Sequence, residues 1–127
     1  MSMYNDEVEK VIDMMNNSEE DLLKLIGFEK WKESDNKGNF RPDFIGTGKY
    51  VWDSIRTLIY NKICESDTGI PKEWVQEVVG GDIREIILCL LPILITEFEL
   101  NIPIAVPTVA LILKNGIKKF CQIKINN

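Results

Sequence analysis

Val8, Val11, Ile12 and Met15 recur at i, i+3, i+4 and i+7, the apolar stripe of an amphipathic helix. Asp6, Glu7 and Glu9 fall in its first turn, where acids complement the helix dipole, and Asn16-Asn17 breaks it. Ser18 opens a second helix with Asp21 in a capping-box position. Leu22, Leu25 and Ile26 form its inner face, and Gly27 is placed as its stop. Between residues 28 and 48 the periodicity lapses. Asp35-Asn36-Lys37-Gly38-Asn39, Arg41-Pro42-Asp43 and Gly46-Thr47-Gly48 are turn chemistry. Phe28, Trp31, Phe40, Phe44 and Ile45 are interleaved with them, which predicts a long loop tied to the body by aromatics.

A third helix is expected over roughly 49–65, with Val51, Ile55, Leu58, Ile59 and Lys62 on one face and Trp52, Tyr60 and Ile63 widening it. Pro71 is placed as the first residue of a short fourth helix that buries Trp74, Val75, Val78 and Val79 and stops at Gly80-Gly81. Asp82 caps a fifth. Its residues 86–95 are apolar without a break, the mark of a helix buried all round, with a kink expected at Pro92. A sixth helix starts at Pro107, has Val109, Leu113, Ile117 and Phe120 at its core, and uses Gly116 for close helix approach. Residues 123–125 could add a short extended piece. The expected fold is all-α: one domain over residues 1–127, a compact bundle of five to six helices around a central hydrophobic hairpin of helices five and six.

That hairpin invites comparison with a membrane span, which needs about 20 apolar residues. Thr96, Glu97, Glu99 and Asn101 interrupt it, and each charge near mid-span costs about 2.5–3.5 kcal/mol on insertion scales. A buried core hairpin is expected, so a membrane partner is not, and the alternative is a membrane-active effector using residues 86–113.

Composition changes the picture by exclusion. The 127 residues contain no histidine, which removes Ser-His and Cys-His nucleophilic catalysis and His-ligated zinc. The net charge of −5, without a clustered basic face, excludes nucleic acid as an expected partner. Acids concentrate in the first 35 residues, while the last 22 carry four lysines and no acid. Cys64, Cys89 and Cys121 are odd in number and form no CxxC pair. With an N-terminus, MSMYNDEVEK, that lacks the pattern of a secretory signal, they are expected as reduced thiols of a cytoplasmic protein.

Sites for chemistry are sparse. Gly46-Thr47-Gly48-Lys49 lacks the first glycine and the final Ser or Thr of a P-loop, as positions 43 and 50 are Asp43 and Tyr50, though an anion could sit on its amides. Glu97 and Glu99 point apart on a helix and converge only in an extended connector; with Asp82 they are the carboxylates of an alternative metal-dependent hydrolase. Glu73 and Glu77 share a helix face without further ligands. Cys64 is the thiol expected nearest the surface, Cys89 is expected in the core, and Lys118 and Lys119 would acidify Cys121. No cofactor is expected. The strongest surface is aromatic: Trp31, Phe40, Phe44 and Trp52 with Arg41, residue types that dominate interface hot spots, either line a pocket or anchor the loop.

The stretch Ala110-Leu111-Ile112-Leu113-Lys114-Asn115-Gly116-Ile117-Lys118-Lys119-Phe120-Cys121, preceded by an apolar proline-containing hairpin, resembles the ending of short helical proteins of bacterial conflict and defence gene neighbourhoods. The resemblance covers about a third of the chain and carries no catalytic residue. It implies an accessory or adaptor role. The expected function is a non-enzymatic interaction module with a protein partner or self-association.

Overall fold

The structure is a computed structural model and describes residues 4–33, 43–65, 68–79 and 81–125. The all-α expectation holds among them. Seven α-helices run in order: α1 (Asn5–Met14), α2 (Glu19–Glu33), α3 (Phe44–Ile63), α4 (Glu73–Val79), α5 (Ile83–Pro92), α6 (Ile102–Lys114) and α7 (Ile117–Ile125), with a π-helical turn over Ile93–Glu97. Cys64 and Pro71 form an isolated antiparallel bridge, and no strand is present among the described residues.

Side-chain caps set three of the helix starts. Ser18 Oγ accepts from the Asp21 amide at 3.1 Å and Asp82 Oδ1 from the Arg84 amide at 3.2 Å, as expected. The expected loop over 28–48 is corrected at both ends. Gly27 does not stop α2, and α3 begins at Phe44 because the Asp43 carboxylate accepts from the Gly46 amide at 2.9 Å. The glycines serve a helix crossing instead of turns. A Cβ at Gly27 would lie 1.8 Å from the Phe44 carbonyl oxygen, and one at Gly48 the same distance from that of Leu23. α2 and α3 thus pack nearly backbone to backbone. The inner face of α3 is Gly48, Ile55, Ile59 and Ile63, while Leu58, expected inside, is 48% exposed. Pro71 joins the bridge and does not open α4, and Trp74 lies outside.

The most deeply buried element is α6. Residues 104–113 are all buried, and the one buried polar side chain among the described residues, Thr108, donates to its own helix at Ile104 O (2.7 Å). α6 starts at Ile102, not Pro107, because extended Asn101 offers its carbonyl to the Ala105 amide at 2.8 Å and Pro103 fits the first turn. Gly116 ends it at φ 89° with open space around its Cβ position, so it supplies a left-handed turn and not a close approach. This break makes residues 117–125 a separate α7 where one continuous sixth helix was expected, and residues 123–125, which could have been extended, are helical. α5 is corrected in the other sense: Ile86, Ile87, Leu90 and Leu91 are buried, but Leu88, Cys89 and Pro92 are half-buried. The irregularity expected at Pro92 is the π turn that follows it, where the Phe98 amide donates to Ile93 O and Thr96 Oγ1 to Pro92 O.

The expectation of three reduced thiols is overturned. Cys64, at the end of α3, and Cys121, on α7, form a disulfide with Cα atoms 5.6 Å apart. The return of α7 across α3 joins residues 57 positions apart, a proximity that sequence spacing cannot show. Both are buried, so Cys64 is neither surface-exposed nor a thiol. No helix among the described residues is long and apolar enough to cross a membrane.

Candidate interaction surface and cavity

Of the five residues singled out in the sequence, Phe40 and Arg41 lie outside the described residues. The other three divide between two places. Trp31 and Phe44 meet Phe28 where the C-terminal half of α2 faces the start of α3. The ring centroids are 5.3 Å apart for Phe28–Phe44, 5.8 Å for Trp31–Phe44 and 6.1 Å for Phe28–Trp31. The first two pairs are edge-on, the arrangement favoured by ring quadrupoles, and each such contact adds about 0.5–1.5 kcal/mol beyond burial. The close crossing at Gly27 and Gly48 brings the rings together. All three stay half-buried. Lys32 Nζ sits 5.0 Å from the Phe28 centroid and also pairs with Glu29 at 3.3 Å. Shallow clefts flank the cluster, one reaching Asp21 and Lys24, the other Lys30, Glu33 and Thr47.

Trp52, two turns further along α3, does not belong to this cluster. It packs on Phe120 of α7 at 6.1 Å, edge to face. Together they wall a more enclosed cavity of about 210 Å³, completed by Leu23 of α2 and by Leu111 and Ile112 of α6. Glu19, Arg56 and Asn115 supply its polar groups. The Asn115 amide donates to the Glu19 carboxylate at 2.9 Å. Arg56 Nε is buried with no acceptor. A pocket joining Trp52 to an arginine was anticipated, but with Arg41; Arg56 was missed. The i, i+4 spacing of Trp52 and Arg56 was a readable signal, whereas the convergence of α2, α6 and α7 on it was not.

The remaining candidates separate. The Asp43 carboxylate and carbonyl take the Gly46 and Thr47 amides, so the anion seat suggested for that turn is filled by the chain itself. Asp82 caps the start of α5, and Glu97, beyond its other end, pairs with Lys62 at 2.9 Å. Glu99 lies past the π turn at φ 56°. No group of three or more Cys, Asp or Glu side chains placed to hold a metal occurs among the described residues. Cys89 is a free thiol, half-buried where the core was expected, and burial pushes its pKa up. The chain matches no protein-family model, no curated protein and no solved structure.

Proposed function

We propose that this chain is a non-enzymatic protein-interaction module, an adaptor, accessory or immunity-like protein of a bacterium, folded around its apolar α5–α6 hairpin. The partner is a protein, and it docks on the Phe28–Trp31–Phe44 edge of the α2–α3 pair. The observation that carries this reading is the ring cluster itself: three large aromatics, mutually packed yet half-buried, between two clefts edged by charged side chains. Preformed aromatic anchors with a charged rim are the anatomy of an interface centre. The resemblance of residues 110–121 to accessory modules accords with it.

The test is Trp31→Ala, assayed by affinity capture from the native host and by light scattering. Capture of a specific partner, or self-association, is expected for the native chain and lost in the variant, with the melting temperature lowered by only a few degrees. A fall of more than about 10 °C with association unchanged would assign Trp31 to the fold alone and overturn the reading.

A further inference from the structure

We propose that the cavity between α2, α3, α6 and α7 is a binding site for a small aromatic or branched aliphatic carboxylate, held by Arg56. This site is separate from the ring cluster at Trp31, and its test does not depend on that surface.

Size comes first. An apolar cavity of about 150 Å³ accepts benzene. The 210 Å³ here therefore leaves room for a ring plus roughly two further water volumes, enough for a carboxylate. The walls are the second observation. Trp52 and Phe120 present ring surface from two helices, and Leu23, Leu111 and Ile112 close the apolar side, so the body of the ligand is a hydrocarbon.

Charge decides the polar end. The guanidinium of Arg56 makes no ion pair or hydrogen bond with any described residue, and its Nε is buried. A buried donor without an acceptor is uncommon in a native fold, and a planar guanidinium fork matches a carboxylate through two parallel bonds. The other charge on the cavity, Glu19, is exposed and is engaged by Asn115 at 2.9 Å. It stands at the rim and disfavours a second negative group there, which limits the ligand to one carboxylate placed on the Arg56 side. A ligand without an acceptor at this end would leave the buried Nε of Arg56 unpaired.

Benzoate is the probe. Titrated into the oxidised full chain, it should give saturable ¹H–¹⁵N shifts at the Trp52 indole and at Leu111, Ile112 and Asn115, with a Kd on the order of 0.1–1 mM for so small a ligand. Benzyl alcohol should bind at least tenfold more weakly. Arg56→Gln should lose at least tenfold in benzoate affinity, Arg56→Lys should fall between, and Glu19→Gln should tighten binding severalfold. Shifts that do not saturate, or benzyl alcohol binding as well as benzoate, would overturn the proposal. So would unchanged affinity in an Arg56→Gln variant that melts like the native chain. Should that variant fail to fold, the comparison of benzoate with benzyl alcohol on the native chain still decides.

Discussion

Gly48 shows how one residue sets the spacing of two helices. In a helix interior alanine is favoured over glycine by about 0.5–1 kcal/mol. At position 48 that gain is opposed by a Cβ 1.8 Å from the Leu23 carbonyl oxygen, a backbone atom that yields only if α2 moves away. Overpacking of this kind costs about 1–3 kcal/mol or more, so the clash wins. Gly48→Ala should therefore lower stability in urea unfolding and loosen the packing of Phe44 against Phe28; an equal or higher midpoint would show that the helices do not cross this closely. Gly116→Ala, with open space around it, carries only the cost of a left-handed φ, about 1–2 kcal/mol. Gly27 and Gly48 were legible as glycines but read as a helix stop and a turn former, because a close crossing depends on a partner helix that sequence periodicity does not name.

At the scale of elements, α7 is the dependent piece. Nine residues are too few for a helix to persist alone in water. Its attachments are buried Ile117, Phe120 against Trp52, and the disulfide to the end of α3. Cross-linking across 57 residues restricts the unfolded chain by about 4 kcal/mol in the chain-entropy account. Protein prepared without reductant should accordingly take up one alkyl group, on Cys89, and do so slowly because burial raises that thiol's pKa. After reduction and unfolding it should take up three, and the reduced protein should melt lower by roughly 10–20 °C. Three rapidly alkylated thiols in the untreated protein, or a melting point insensitive to reductant, would contradict the cross-link.

Across the whole molecule, stability resides around α6 and not on the charged surface. Ile112 is 1% exposed, at the junction of α6 with the cavity. Truncating a side chain so placed costs about 2–5 kcal/mol, so Ile112→Ala should shift the unfolding midpoint strongly. The Lys62–Glu97 pair, 2.9 Å long, has side chains 40% and 46% exposed. Solvent screens such a pair to about 1 kcal/mol or less, and a double-mutant cycle on it should report no more. A coupling several times larger, or a near-neutral Ile112→Ala, would reverse this assignment.

Periodicity and capping chemistry are local, and what they determine was open in the sequence. The helical class, the stripe of α1, the caps at Ser18 and Asp82 and the break at Asn16-Asn17 each rest on neighbours within one or two turns. Trp31, Phe44 and Trp52 were singled out together as aromatics, but their division between the Phe28 cluster and the Phe120 cavity was not legible. What only the tertiary structure decided depends on residues far apart in the chain. The two apolar runs within residues 86–113 were legible as a buried hairpin, yet only α6 is enclosed all round while α5 is half-exposed, because α1, α2, α5 and α7 all pack on α6. The Cys64–Cys121 bond and the meeting of Trp52 and Arg56 with Phe120 likewise exist only once α7 folds back over α3, a long-range closure that leaves no period in the sequence.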